Sequence, residues 1–199
     1  MKAIINVGLV GYGFASQTFH APLIQATEGL DLVAVSSSDA AKVQASLPGV
    51  EVESQAMALS QRKDIDLIVI PTPNDTHFSL AKAALTAGKH VVVDKPFTVT
   101  LSEGRLLKKL ADEKERLLSV FHNRRWDSDF LTVKALLEAG TLGRVVNVES
   151  HFDRFRPEVR DRWREKATPG GGIWYDLGPH LLDQACELFG MPQAILLEL

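Results

Sequence analysis

The chain has 199 residues, of which 45% are hydrophobic and 24% charged, values typical of a globular protein with one or two domains. A net charge of −3 with interspersed signs provides no basic surface for nucleic acid or an anionic membrane. The single cysteine, Cys186, excludes an intrachain disulfide and a cysteine metal cluster. No apolar run approaches the roughly 18 residues needed to span a membrane. The sequence shows no signal-peptide pattern at its start, so we expect the protein to be cytoplasmic.

Strands and helices alternate regularly through residues 1–121. Apolar runs bounded by glycine and proline predict strands at about 3–10, 30–35, 50–53, 66–70, 89–93 and 117–121. Helices are expected between them, at about 15–28, 39–47, 55–61, 75–87 and 102–115. This order predicts a doubly wound parallel sheet with right-handed crossovers, the α/β fold of a dinucleotide-binding Rossmann domain.

The remaining residues, 122–199, change in character. A helix is expected over about 127–139, and alternating apolar and polar residues predict a strand over 144–155. A second helix is expected over about 177–188, and a further strand begins near residue 194. We therefore place a domain boundary after residue 121.

The fifth strand ends abruptly in Asp94-Lys95-Pro96. A strand this apolar is buried on both faces of a parallel sheet. Asp94 and Lys95 therefore lie at its carboxyl end, the edge at which open α/β sheets bind ligands, and Pro96 cannot continue the ladder. Lys95 is a candidate for chemistry, and a salt bridge that only closes the strand is the alternative.

The first strand runs into a glycine-rich turn that opens the first helix, the context of a dinucleotide fingerprint. Gly11 permits the tight turn, and Gly13 lets the backbone approach a pyrophosphate at the positive end of the helix. Ser16 occupies the third position, where glycine or alanine is usual. The predicted pyrophosphate loop consists of Gly11, Tyr12, Gly13, Phe14 and Ala15.

Hydroxyl groups follow the second strand, where an acidic residue would bind the ribose of NAD. Ser36, Ser37 and Ser38 together with Lys42 suit a 2′-phosphate, so NADP is favoured over NAD. The alternative is that Ser38 or Asp39 caps the next helix and Lys42 is solvated.

A second group of polar residues surrounds Asp176 and His180, four positions apart and hence on one face of a helix that begins early enough. A carboxylate beside an imidazole orients a general base. Two alternatives stay open: a structural His180, and Asp176 as an N-cap, because Pro179 is expected in a first turn. His180 and Asp183 could also ligate zinc, but no paired-histidine spacing is present, so no metal is expected.

Taken together, these stretches resemble the glucose–fructose oxidoreductase/inositol dehydrogenase family (Gfo/Idh/MocA) along the whole chain. The motifs are Gly11-Tyr12-Gly13 with His20-Ala21-Pro22, Pro71-Thr72-Pro73-Asn74 with His77, the run from Gly88 to Pro96, Asn123-Arg124-Arg125-Trp126-Asp127, and Asp176 with Gly178 and His180. Within the family, the serines after the second strand and residues 150–155 resemble NADP-linked scyllo-inositol dehydrogenase.

The resemblance implies hydride transfer between a nicotinamide and a hydroxyl or ketone carbon of a sugar or cyclic polyol. Lys95 matches the lysine of the family's Glu-Lys-Pro motif, with Asp94 where glutamate is frequent. Asp176 and His180 match the family's Asp/His pair. His180 would remove the hydroxyl proton, Asp176 would hold its ring, and Lys95 would stabilise the substrate oxygen.

The resemblance also implies further binding residues. Those flanking the cofactor are Pro71, Thr72, Asn74, His77, Asp94 and Lys95. Those expected on the substrate side are Asn123, Arg125, Arg154 and Trp163. For Arg125, a structural role that braces the domain junction is the alternative.

Family members carry an α+β second domain built on a large open sheet, and residues 122–199 resemble only its N-terminal part. We therefore expect a truncated chain or a portion of a longer polypeptide. Family members usually associate through that sheet, so a homo-oligomer is expected. A dinucleotide-binding protein without turnover is the alternative function, since the family includes a transcriptional repressor that binds cofactor without redox work.

Overall fold

The computed structural model of the protein describes residues 4–153, 155, 157–158, 161, 165–166 and 168–196. It divides into two compact units, Met1–Phe121 and His122–Leu199. No helix in the described part of the chain is both long and apolar enough to cross a bilayer.

The first unit contains a six-stranded, fully parallel sheet with the strand order β3-β2-β1-β4-β5-β6. Its strands are β1 (Ile5–Val10), β2 (Leu30–Ser36), β3 (Glu51–Glu53), β4 (Leu67–Ile70), β5 (His90–Asp94) and β6 (Leu118–Phe121). The order reverses between β1 and β4, so the predicted doubly wound sheet is confirmed. This reversal opens a crevice at the carboxyl ends of those two strands.

Helices connect successive strands and cover both faces of the sheet. They are α1 (Ala21–Ala26), α2 (Ala40–Ser46), α3 (Ala56–Gln61), α4 (His77–Thr86) and α5 (Leu101–Lys114). The first connection differs from the single regular helix that the sequence predicts, because a π-helical segment, Ser16–His20, precedes α1. Helix α5 begins with a complete capping box between Thr100 and Glu103.

Each face of the sheet has its own apolar core. Leu85 and Leu107 belong to the core under α3, α4 and α5, whereas Leu9 and Val43 belong to the core under α1 and α2. Successive strand residues point to opposite faces, so runs such as β1 and β4 must be apolar throughout. These two cores fix the strand ends that form the crevice.

The second unit contains a 3₁₀ segment, Asn123–Trp126, and two helices, α6 (Ser128–Glu138) and α7 (Ile173–Phe189). Helix α7 begins earlier than expected, because Gly172 at φ 92° turns the chain and its carbonyl accepts the Asp176 N–H at 3.2 Å. Asp176 therefore lies in the first turn, and its interpretation as an N-cap is wrong. Pro179 is interior and removes one backbone donor from the helix.

The strand expected over 144–155 is wrong for the residues that the structure describes there. Residues 145–153 have no ladder, and neither do residues 194–196, where a further strand was expected. An alternating segment becomes a strand only when a partner edge satisfies its backbone groups. Within the described second unit, no such edge is present.

Candidate functional site

The turn after β1 leaves open space in front of the following helix. Gly11 has φ 81°, a conformation that glycine adopts without strain, and a Cβ there would lie 3.6 Å from the Thr72 methyl group. A Cβ on Gly13 would meet no atom within 4 Å. The first N–H groups of a helix lack intrahelical partners and favour an anion. The open turn therefore has space in front of these N–H groups, and pyrophosphate binding there stays a prediction of the fingerprint.

Two buried serines hold this turn from opposite sides. The Gly11 N–H donates to Ser36 Oγ at 2.9 Å, and the Ser16 hydroxyl donates to the Gly11 carbonyl at 2.8 Å. Both side chains are buried. Ser16, which departs from the usual fingerprint, thus supplies a hydrogen bond that glycine or alanine could not. This role escaped the sequence reasoning, because the partner of each serine is set by the fold.

The end of β2 combines capping groups with exposed polar groups. Asp39 Oδ1 accepts the Lys42 N–H at 3.0 Å, so the alternative in which Asp39 caps α2 is confirmed. Ser37 Oγ bonds both the N–H and the carbonyl of Asp39, at 3.1 and 3.2 Å. Ser38 and the Lys42 side chain remain exposed at the surface.

His77 links the exits of two strands. Its Nδ1 lies 2.9 Å from the Pro96 carbonyl oxygen, and its Nε2 lies 2.9 Å from the Thr72 carbonyl oxygen. The ring has no exposed surface. In this structure His77 therefore holds the β4 and β5 exits together, rather than presenting a nitrogen to the crevice.

The rest of the β4 exit is compact. Thr72 Oγ1 lies 2.6 Å from Thr76 Oγ1, whose hydroxyl also donates to the Pro73 carbonyl at 2.7 Å. Asn74 is buried, and Pro71 is half-buried. The Thr72 methyl group would lie 3.6 Å from a Cβ on Gly11, so Thr72 and Gly11 lie close together where β1 and β4 end.

The β5 exit carries the charged pair. Asp94 Oδ1 accepts the Lys95 N–H at 2.9 Å, and the Lys95–Pro96 peptide bond is cis. Asp94 Oδ2 lies 4.0 Å from His20 Nε2. Burial raises the pKa of Asp94, whereas His20 and the N–H and ammonium groups of Lys95 lower it. The lowering is larger than the rise, so the pKa of Asp94 lies below its usual value. Asp94 is therefore held as a carboxylate beside Lys95.

His20 is the neighbour of Asp94 that sequence reasoning did not single out. It ends the π-helical segment, is buried, and its ring centroid lies 4.3 Å from that of Phe121. The motif His20-Ala21-Pro22 carries part of the family resemblance, but no residue pattern in the sequence indicates that the His20 ring faces the β5 exit.

In the second unit, Arg125 is engaged by acidic side chains. Its Nε and Nη2 donate to both oxygens of Asp183 at 2.8 and 2.6 Å, and its Nη1 lies 3.2 Å from Glu187. The hydrogen bonds to Asp183 raise the pKa of Arg125. These contacts hold Arg125 to α7 within the second unit, and its expected places on the substrate side or at the domain junction both stay predictions. Both carboxylate oxygens of Asp183 thus accept hydrogen bonds from the guanidinium.

The remaining residues of the second unit are placed as follows. Asp176 and His180 both lie on α7, four residues apart, which puts them on one face. Asp176 is half-buried and His180 buried. Asn123 is half-buried in the 3₁₀ segment. Arg154 and Trp163 lie outside the described residues.

Comparison with protein families matches both units. Residues 5–122 match the oxidoreductase family with an NAD-binding Rossmann fold, and residues 130–198 match the GFO/IDH/MocA C-terminal domain. The first match covers the sheet and every residue of the β1, β2, β4 and β5 exits described above.

Individual relatives of the chain are also named as oxidoreductases or dehydrogenases. The uncharacterized oxidoreductase YdgJ of Escherichia coli is 67% identical over 199 residues, which are 100% of this chain and 58% of the relative. The scyllo-inositol 2-dehydrogenase (NADP(+)) IolW of Bacillus subtilis is 42% identical over 191 residues, 96% of this chain and 53% of the relative. The chain thus spans a little more than half the length of these relatives.

Solved structures give the same result. A Yersinia pestis protein described as an oxidoreductase superposes with a TM-score of 0.90 at 67% identity, over 96% of this chain and 54% of the other. Biliverdin reductase from Synechocystis, solved with biliverdin and NADP⁺, superposes with a TM-score of 0.79 at 29% identity, over 96% and 60%. The parallel sheet, the matched families and these relatives together show that the chain belongs to the Gfo/Idh/MocA family of oxidoreductases.

Proposed function

We propose that this chain forms part of an NADP-dependent oxidoreductase that interconverts a hydroxyl and a ketone on a sugar or cyclic polyol. The observation that carries the proposal is the pairing, at one sheet edge, of an open Gly11–Gly13 turn with Lys95 beside a carboxylate. Two relatives support the substrate class, since IolW and an inositol 2-dehydrogenase of Rhizobium meliloti, 32% identical, are named for inositol.

The residues of the first unit would hold the dinucleotide. Backbone N–H groups of Gly13, Phe14 and Ala15 would bind the pyrophosphate, with Tyr12 completing the turn. Thr72 and Asn74 would flank the nicotinamide ribose side of the crevice. The bound nicotinamide supplies the acceptor or donor for the hydride that leaves or joins the substrate carbon.

Each catalytic residue would have a separate role in proton transfer or in stabilising charge. In the oxidation direction, His180 takes the hydroxyl proton, while Asp176 holds the imidazole in the required orientation. The Lys95 ammonium stabilises the substrate oxygen as the carbon–oxygen bond gains double-bond character. Asp94, with its lowered pKa, keeps a negative charge beside that ammonium.

The preference for NADP is proposed from the β2 exit. Ser36 and Ser37 are hydrogen-bonded within the protein, so Ser38 and Lys42 are the exposed groups there that could meet a 2′-phosphate. Lys42 would supply the attractive charge, and no acidic side chain directly at the strand end competes with it.

The function is tested by following nicotinamide absorbance with a panel of inositols and sugars in both directions. The Lys95→Ala variant should lose roughly 10²- to 10³-fold in kcat, because one preorganised charge at the substrate oxygen is removed. Lys109→Ala, at an exposed lysine paired with Glu113, is the matched control and should retain activity. Unchanged turnover in Lys95→Ala would contradict the mechanism. Dinucleotide binding with no turnover on any substrate would favour the alternative, a binding protein without redox work.

Cofactor choice is tested separately by titrating the chain with NADPH and NADH and following nicotinamide fluorescence. NADPH should bind more tightly, and Lys42→Ala should weaken NADPH roughly two- to sixfold and leave NADH unchanged, as expected for one exposed charge pair. Tighter binding of NADH would overturn the NADP assignment. The homo-oligomeric state and the cytoplasmic location stay predictions, and light scattering of the purified chain tests the first.

A further inference from the structure

A buried imidazole faces the charged pair at the β5 exit and has no assigned role. The His20 ring is 4% exposed, and its Nε2 lies 4.0 Å from Asp94 Oδ2, beyond hydrogen-bond length. That nitrogen makes no hydrogen bond with any group in the described part of the chain. A buried polar atom without a hydrogen bond is costly, so its orientation toward a carboxylate calls for a reason.

The backbone holds the ring in this place. His20 ends the π-helical segment Ser16–His20, which begins at the serine that bonds Gly11. Segments of this kind interrupt the regular helical period and are frequent at functional sites. On its other side, the ring packs on Phe121, which is the register partner of Asp94 on the neighbouring strand. The pyrophosphate turn and the β5 exit are thus joined through one side chain.

Asp94 is correspondingly held from two directions. Its Oδ1 accepts the Lys95 N–H, and its Oδ2 faces His20. Among the described residues, the charged group paired with His20 Nε2 is Asp94, and the charge of Lys95 acts on that carboxylate. Rotation of the carboxylate would therefore alter the electrostatic surroundings of the Lys95 ammonium.

We propose that His20 is a positioning residue, which fixes the Asp94 carboxylate through its Nε2 and thereby sets the orientation of Lys95 for catalysis. The inference rests on the proposed function of Lys95. The competing explanation is that His20 only fills space against Phe121.

Two substitutions separate these explanations. His20→Phe keeps an aromatic ring on Phe121 and removes the nitrogen, whereas His20→Gln loses the ring and keeps an N–H near the Nε2 position. We expect His20→Phe to lower kcat about tenfold or more, with the Kd for NADPH nearly unchanged, because a misoriented catalytic group slows the chemical step. His20→Gln should retain much more activity. His90→Gln, at the opposite end of β5, is the matched control and should behave as wild type, because the glutamine side-chain oxygen can still accept the Leu117 N–H that His90 Nδ1 accepts at 2.9 Å.

A measurement without cofactor tests the contact itself. Carbon-13 NMR of the Asp94 carboxyl group, followed through an acid titration of the full chain, should give a higher pKa in His20→Phe than in wild type, because the His20 contact helps to lower it. The shift should be smaller in His20→Gln, because the amide keeps an N–H near the Asp94 carboxylate. Circular dichroism of each variant establishes that it is folded, and if His20→Phe does not fold, His20→Gln carries the test.

The outcomes distinguish the inference from the function on which it rests. Unchanged Asp94 titration in both variants, wild-type turnover in His20→Phe, or lower turnover in His20→Gln than in His20→Phe would each overturn the positioning role. If wild type turns over no polyol or sugar, the proposed function fails, and the Asp94 titration still decides whether His20 holds the carboxylate.

Discussion

The two units of this chain bury their apolar residues very differently. In the first unit, two cores cover both faces of the sheet, and side chains such as Leu9, Leu85 and Leu107 are inaccessible to solvent. In the second unit, Phe130 is the one apolar side chain that is buried among the residues described there. Apolar residues of its long helix, such as Ile173 and Trp174, are largely exposed.

The difference indicates what stabilises each unit. The first unit gains its free energy of folding from burial of apolar area, which grows with each successive βαβ repeat. In the second unit, a polar network joins the 3₁₀ segment to α6 and α7, with Arg125 bonded to Asp183 and Glu187 and with Lys134 3.7 Å from Glu187. We expect core substitutions to matter most in the first unit and charge substitutions to matter most in the second.

The largest effect is expected in the first core. Leu107→Ala should lower the free energy of unfolding by about 2–5 kcal/mol, because it removes buried methyl groups and leaves a cavity. Urea unfolding followed by far-UV circular dichroism measures the loss. Leu106→Ala, one position along the same helix and 44% exposed, is the matched control and should cost less than about 1 kcal/mol. Equal losses in the two variants would contradict the burial argument.

The second prediction concerns the polar network. Arg125→Leu should lower the free energy of unfolding by about 1–2 kcal/mol, because Asp183, whose side chain is 10% exposed, loses two hydrogen bonds. Trp126 and Trp174 lie in the second unit, so tryptophan fluorescence during urea unfolding reports the change.

A double-mutant cycle shows whether the arginine and the carboxylate act as a pair. Arg125→Leu combined with Asp183→Asn should cost less than the sum of the single substitutions. Lys108→Ala, which breaks an exposed pair with Asp112, is the control and should change stability by no more than about 0.5 kcal/mol. Additive losses in the cycle would show that Arg125 and Asp183 are not coupled.

The smallest effect is a dependence of stability on pH at the β5 exit. The folded state lowers the pKa of Asp94, so its contribution to stability is complete above the unfolded value of about 3.9 and is lost as the pH falls through the folded value. Asp94→Asn should therefore have a lower free energy of unfolding than wild type at pH 6, and this difference, the gap, should narrow toward pH 3. Urea unfolding at both pH values measures the gap. Other carboxylates are common to the two proteins, so a gap that widens in acid would refute the assignment.

Much of the first unit follows from local sequence. The apolar runs of β1, β4 and β5 predict buried parallel strands, and the glycines at 11 and 13 predict the turn after β1. These predictions succeed because a strand, its turn and its helix are specified within about 30 residues of one another. The same reasoning put Lys95 at a strand exit, where the structure also has it.

The second unit shows where local patterns fail. Alternation over 144–155 predicted a strand, but a strand depends on a partner edge that the segment itself does not encode. Pro179 suggested a late helix start, whereas the positive φ of Gly172 and its bond to Asp176 begin α7 six residues before the proline. In both places the secondary structure depends on the neighbouring backbone rather than on the side chains from which it was predicted.

By itself, then, the sequence determined the doubly wound sheet, the glycine turn after β1 and the lysine at the end of β5, because each depends on residues close together in the chain. Only the tertiary structure decided that Ser16 and Ser36 both hold Gly11, that His77 joins two strand exits, and that His20 faces Asp94. Those contacts depend on strand order and on a π-helical segment, which bring distant residues together after the sheet has formed.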